Sequence, residues 1–410
     1  MSTEVSIIMN SYNKYPMNLF SLMALKYQTF DPSKMEVIFV DDASSDRTPK
    51  LSRFQAPFPF RYIRSDKNLG RSAAKNVGIA AASGKIIIML DAEMLVHRRY
   101  VERHYRYHSQ EDNLVVTGCM GHNGMFSVLH PAFNKKQFKH FYSLIRKRPL
   151  LRKKWRLTSW SRRRNIRKLT ARIQKRSRPV RLLKEEAIKN RKFHRYTFTD
   201  PLRPEVLRKF GSRYEGYHLP WYCVVTHSLS FRRSLYEEVG PFYEGFEGWG
   251  FEDWEFGYRL YKHGAKFLDD GRTPIYHQEH PTQPYASIKS DNYKNYRKFY
   301  QRHRDFEVGL HTLLLLGIRD FVSINDLVSE YKEMTSDSTE KYQAFLNSSM
   351  TLFEKIADRL VNEQPVKNLG DVLFEDQPGA YEAFQNELSL LREEGRFPGL
   401  VKSFQKLLER

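Results

Sequence analysis

The chain is predicted to adopt an α/β fold with a mainly parallel central sheet flanked by helices, interrupted by a basic insertion and followed by a helical C-terminal domain. Three observations predict it. Strand-length apolar runs alternate with helix-length stretches through the first 130 residues, which argues for βαβ units. Polar residues, Asn10, Asp41, Asp42, Asp91 and Glu93, cluster at the ends of those runs, where parallel sheets place their ligand crevice. From about residue 309 the pattern changes to helical periodicity without Gly-rich turns.

The elements follow in order. VSIIM (residues 5–9) is a strand broken by NSYN (10–13), and a helix spans 17–28. MEVIFV (35–40) is the second strand; it runs into DDASSD (41–46), with Asp46 capping a helix that begins near residue 48. A strand near 60–64, the loop DKNLG (66–70) and a small-residue helix over 72–82 precede the strand KIIIML (85–90). Residues 97–130 read as a helix and then the strand LVVTG (114–118). After an insertion from 131 to 215, WYCVVT (221–226) and LSF (229–231) return as strands, and an amphipathic helix covers 252–263. Short extended pieces at 267–268 and 274–277 lead to helical stretches at 310–316, 342–360 and 388–408. The implied division is 1–130, 131–215, 216–308 and 309–410.

Composition narrows the class. At 410 residues with 40% apolar and 14% aromatic content, the chain can bury a large core plus an accessory domain. Its two cysteines, Cys119 and Cys223, are too few for a disulfide framework and read as buried thiols in a reducing cytoplasm. No leader-like N-terminus and no run of 18 apolar residues is present, so neither a signal peptide nor a spanning helix is expected. The net charge of +21 is local: residues 135–196 hold 25 Lys and Arg against 2 Glu, a net +23, which leaves the rest at −2. A whole-chain nucleic-acid binder is therefore disfavoured. Within the insertion, Phe138, Phe141 and Ile145, then Ile166, Leu169 and Ile173, recur at helical spacing among the cations, with Trp155 and Trp160 nearby. This reads as an in-plane amphipathic surface on an anionic membrane, placing the protein peripherally on the inner face of the plasma membrane. A trough for an anionic acceptor, a solvated insertion and nucleic-acid binding are the alternatives.

Two acidic knots carry the chemistry. DAE (91–93) follows a buried strand, and two carboxylates at i, i+2 can grip one divalent cation and, through it, a diphosphate. GWGFEDWE (248–255) opens a helix about 160 residues later and offers a separate carboxylate as general base.

VSIIMNSYNK (5–14), VIFVDDASSD (37–46), NLGRSAAKNVG (68–78) and IIMLDAE (87–93) together resemble the inverting nucleotide-sugar glycosyltransferases of family 2, which have the GT-A fold. The second knot is similar to the acceptor-side motif of galactosyl- and N-acetylgalactosaminyltransferases and chondroitin-synthase-like enzymes. The resemblance implies that Asp42 reads a uracil ring with Asn10 and Tyr12 around the base, and that Arg71, Lys75 and Asp91 contact the nucleotide. Lys75 stands where the family usually has Arg. It further implies that Asp91, Glu93 and His277 hold Mn²⁺ or Mg²⁺, with His280 close enough to compete; Glu93 replaces the more usual Asp. Asp253 is the implied catalytic base, Glu252 a partner of donor or acceptor sugar, and Trp249 and Gly250 a surface against the pyranose. The expected activity is transfer of a hexose or N-acetylhexosamine from a UDP-sugar to a cell-surface glycan, wall polymer or lipid-linked acceptor. A peptide side-chain acceptor, or a non-catalytic scaffold with a vestigial cleft, is the alternative.

Overall fold

The computed structural model describes residues 2–118, 120, 122–157, 161–337, 341–367, 369 and 378–409. Cys119 and Trp160 lie outside the described residues. The chain divides into two compact units: Met1–Pro204, Trp221–Glu244 and Glu252–Pro284 form the first, and Glu205–Pro220, Gly245–Phe251 and Tyr285–Arg410 the second.

The first unit has the expected α/β architecture. Seven strands lie in the order Lys266–Asp269, Leu114–Thr117, Leu229–Arg232, Ile86–Met89, Val5–Ser11, Met35–Asp41 and Phe60–Arg64. Only Leu229–Arg232 runs antiparallel to its neighbours. Val5, Ile7, Ile8 and Met9, with Val37 to Val40 beside them, are fully buried, as near-continuous apolar strands at the centre of a parallel sheet should be. The helix Arg71–Ala80 lies close on this centre, because a Cβ at Gly78 would collide with Ile8. A four-stranded sheet orders Thr197–Thr199, Asn123–Met125, Ile275–Gln278 and Met94–Val96.

Three local expectations are corrected. The run at 221–226 is a 3₁₀ turn, Pro220–Cys223, followed by loop, not a strand. Trp221 to Val224 are fully buried because the helix Glu252–Lys262 presses on them; a Cβ at Gly257 would stand 2.8 Å from Val224. An unbroken apolar run marks burial on all sides, which a strand shares with other segments. The helix near residue 48 is a short 3₁₀ run, Thr48–Arg53, with Asp46 accepting from the Thr48 N–H at 2.8 Å.

The insertion corrects the third. Its apolar residues face protein: Phe138, Phe141 and Ile145 of the helix Lys135–Ile145, and Leu169 and Ile173 of the helix Arg162–Gln174, are at most 1% exposed. Trp155 meets Phe141 edge-on at 5.9 Å. Of the large apolar side chains described in this stretch, Leu150 stands out at 84% exposed. The stripes that would lie in a membrane interface are used to build the insertion's own core. Among the described residues no helix is long and apolar enough to cross a membrane.

The second unit is helical. Its helices include Tyr285–Arg302, Phe306–Gly309, His311–Leu315, Ile324–Asp337, Gln343–Val361, Pro378–Glu393 and Pro398–Leu408. The helical stretch read at 388–408 is thus two helices; Pro398 opens the second, and proline disfavours helical backbone in the residue before it. Phe404 packs against Phe306, Phe345, Phe353 and Phe384 at the centre.

His104 and His108, one turn apart on the helix Tyr100–Gln110, both contact the Ser230 hydroxyl, at 2.7 and 2.8 Å. Burial pushes them down to about 4 and about 3, with Asp270 opposing the shift of His104 and Arg103 and Arg232 adding to the shifts. An unfolded histidine titrates near 6.5. As pH falls below that value the unfolded chain takes up protons that the folded chain refuses. Each histidine therefore removes up to about 1.4 kcal/mol of stability per pH unit until its folded value is reached. Urea unfolding of wild type and His104→Gln at pH 7, 6 and 5 is expected to show the variant losing less stability, by roughly 0.7 kcal/mol from pH 7 to 6 and roughly 1.2 kcal/mol from pH 6 to 5; parallel slopes would contradict it.

Candidate active site

The acids are brought together by the sheet. Ile86–Met89 delivers the turn Leu90–Glu93 at its carboxyl end, where the Asp91 N–H bonds the Thr226 carbonyl at 3.0 Å. The chain then enters Met94–Val96, which pairs with Ile275–Gln278 so that His277 stands opposite Met94. That register sets Glu93 beside His277, and His280 follows two residues past the strand. One ligand atom from each of Glu93, His277 and His280 falls within 4.8 Å of the others. Asp91 lies outside this triad.

The triad suits a divalent cation. Burial pushes the Glu93 carboxyl up, but Lys14, joined by His280 and His277 whenever those carry protons, outweighs it and holds the group well below the usual carboxylate range. Burial keeps His277 far below its ordinary value, and His280 below it, so both imidazoles present neutral nitrogen. One ionised carboxylate and two neutral imidazoles make a mixed oxygen and nitrogen donor set open to first-row divalent cations, with the two imidazoles favouring the softer of them. Lys14 reaches Glu93 with its Nζ 2.6 Å from Oε1, and His280 Nε2 is 3.3 Å from the same oxygen. His227 stacks on His277 at 5.1 Å, and His122 lies 5.8 Å from His227.

Asp253 sits in the first turn of Glu252–Lys262, where the helix dipole favours an anion. Its Oδ2 accepts from the Thr226 N–H at 3.0 Å and the Thr226 hydroxyl at 3.2 Å; the same hydroxyl lies 3.1 Å from Asp91 Oδ1. Thr226 thus ties the two acidic knots together. Lys75 is buried between the neighbouring acids, its Nζ 2.5 Å from Asp253 and 3.1 Å from Glu252, over the Phe242 ring. Arg71 adds a longer contact to Glu252 at 3.8 Å. Burial raises all three acids, yet the outcomes differ: Lys75 and Arg71 pull Glu252 below its usual value, while Asp253 and Asp91 remain above theirs.

The remaining expected positions are less convergent. Asp42 is buried, and its two oxygens accept from the N–H groups of Leu69 and Gly70 at 2.7 and 3.2 Å. Asn10 presents an amide whose oxygen and nitrogen are both buried without a partner among the described residues. Tyr12 is half exposed. Trp249 and Gly250 belong to the second unit, where Asp291 accepts from the Trp249 N–H at 3.1 Å. A Cβ at Gly250 would meet Asn292 at 2.7 Å, and one at Gly248 would collide with Asp291. These glycines therefore admit the helix Tyr285–Arg302. Lys14, Thr226, His122 and His227 had no role on sequence grounds. Lys14 closes the first motif, but nothing local distinguishes it from a surface lysine.

An acid pocket at the carboxyl edge of a mainly parallel sheet, backed by a carboxylate–histidine triad, lies where open α/β enzymes place their ligand crevice. The chain belongs to glycosyltransferase family 2: residues 6–174 match the family model "Glycosyl transferase family 2", and residues 208–281 match "N-terminal domain of galactosyltransferase". It is 30% identical over 285 residues to the uncharacterized glycosyltransferase YfnE of Bacillus subtilis, covering 68% of this chain and 66% of that protein. It is 25% identical over 281 residues to hyaluronan synthase of Pasteurella multocida, covering 68% of this chain but only 25% of the synthase. Among solved structures, S. aureus TarS 1-349 in complex with UDP-GlcNAc is similar at 14% identity and a TM-score of 0.49, over 96% of this chain and 93% of that one.

Removing Lys75 leaves two buried carboxylates without their nearest cation, and losing one partner of such a pair costs about 3–5 kcal/mol. Lys75→Met is expected to lose stability of that order in urea unfolding at pH 7.5; an unchanged midpoint would contradict the charge balance described.

Proposed function

We propose that this chain is a metal-dependent inverting glycosyltransferase that moves a hexose or N-acetylhexosamine from a UDP-sugar to a hydroxyl of a cell-surface glycan or wall polymer. The observation that carries this reading is the position of Asp253: one hydroxyl away from Asp91, beside Glu252, and held above the ordinary Asp value by burial. A pair of acids whose environments drive their proton affinities apart supplies separate roles. Glu252, kept ionised by Lys75 and Arg71, orients a sugar hydroxyl. Asp253 takes the acceptor's proton as its oxygen bonds to the anomeric carbon and the bond to the diphosphate breaks on the opposite face.

Glu93, His277 and His280 would hold the divalent cation, and Asp91 would face the nucleotide beside it. When bound, such a cation neutralises charge on the leaving diphosphate. Arg71, half exposed beside the acids, is placed to meet the phosphates. The unpartnered Asn10 amide supports a polar base-binding role, since a buried amide without partners is costly unless a ligand satisfies it. Tyr12 would stack on the base. Asp42 acts in this reading by holding the loop at Leu69 and Gly70 against the nucleotide pocket.

Asp253→Asn keeps the shape and loses the base. Across a panel of UDP-sugars, transfer by the variant is expected to fall about 10²- to 10⁴-fold, while UDP titration stays near wild type. A variant that transfers normally would remove Asp253 from the role.

A further inference from the structure

No aspartate or glutamate occurs between Asp112 and Glu185, although this stretch contains most of the insertion's lysines and arginines. On the helix Arg162–Gln174, Ile166, Leu169 and Ile173 point inward, and Arg163, Arg164, Arg167 and Lys168 are exposed. None of these four forms an ion pair among the described residues. Like charges one turn apart on a helix repel, so this face is held at a standing positive potential.

A second observation is independent of net charge. Arg148, Arg152 and Trp155 bracket the short helix Pro149–Lys154: Arg148 is its N-cap, Trp155 its C-cap, and the Arg152 N–H bonds the Arg148 carbonyl at 3.0 Å. Arg148 Nη1, Arg152 Nε and Trp155 Nε1 are each buried with no acceptor among the described residues. A buried donor left without an acceptor costs about 1–3 kcal/mol, and more when charged. All three orphaned atoms are donors and two belong to guanidinium groups, so the missing partner is an anion, and planar forks of this kind suit phosphate oxygens.

We propose that Arg148, Arg152 and Trp155 form a binding site for a phosphate group of an anionic polymer, with the cations of Arg162–Gln174 extending the track along the chain. A flexible polymer fits better than a lipid surface. The insertion's apolar stripes are spent on its own core, and donor atoms withdrawn from solvent require a phosphate that projects from a chain.

The test uses the full chain and labelled inorganic polyphosphate of defined length, titrated by fluorescence anisotropy at several salt concentrations. Wild type is expected to bind with a steep loss of affinity as salt rises. Arg148→Gln/Arg152→Gln should weaken binding at least about tenfold, whereas Arg167→Gln/Lys168→Gln, which removes equal charge, should weaken it only about threefold. Trp155→Phe should lose affinity with the salt slope unchanged. Arg152→Lys, which keeps the charge but not the fork, should also lose affinity and guards against misfolding of the double variant; thermal midpoints are measured for all. Equal losses from the two double variants would overturn the site. So would absence of polyphosphate binding, or phosphatidylglycerol vesicles that displace polyphosphate and show the same dependence on Arg148 and Arg152.

Discussion

Four buried or nearly buried carboxylates share one pocket, and their mutual repulsion is the constraint around which the first unit is arranged. Asp91, Glu93, Glu252 and Asp253 are countered by Lys14, Arg71 and Lys75, so the pocket keeps one more negative than positive charge. Withdrawing ions from water costs several kcal/mol each unless partners are close and well placed. Lys75 is close because Gly78 lets its helix lie against Ile8, and Asp253 is close because Gly257 lets its helix lie against Val224. Two missing side chains thus set the depth at which charge meets charge.

The imbalance also separates the acids by task. Glu93 and Glu252 stay ionised because nearby cations outweigh their burial; Asp91 and Asp253, bridged by the Thr226 hydroxyl, hold protons more readily, Asp253 despite its contact with Lys75 because burial and the neighbouring Glu252 and Asp91 outweigh it. A hydroxyl has one proton to donate, so Thr226 satisfies one of these acids fully at a time. That leaves the other ready for a substrate hydroxyl, which suits proton transfer better than two identical carboxylates would.

Much of the sheet was legible, since Val5–Ser11, Met35–Asp41 and Ile86–Met89 are apolar runs ending in polar residues, and the ends mark the crevice. DAE and GWGFEDWE gave the acids, because their spacing carries the chemistry. His277 was legible and His280 was raised only as its competitor; that both join Glu93, and that Thr226 bridges the acids, depends on the register between Met94–Val96 and Ile275–Gln278 and on a buried loop. Helical apolar spacing in the insertion was correctly seen as an amphipathic stripe. The stripe fixes only that something apolar covers it, and the neighbouring helix does so as well as lipid would. Gly250 teaches the same point: it was expected against a pyranose, but the group that approaches it, and Gly248 beside it, is a helix of the chain itself.

If the pocket is poised for a divalent cation beside a nucleotide diphosphate, the two ligands must help each other bind. Calorimetric titration of UDP into the wild-type protein, once in Mn²⁺ and once in EDTA, tests this most directly. A coupling of about 1–3 kcal/mol is expected, giving UDP affinity roughly 5- to 150-fold tighter with the metal and a reciprocal tightening of Mn²⁺ by UDP. Equal UDP affinity in the two buffers would contradict the account.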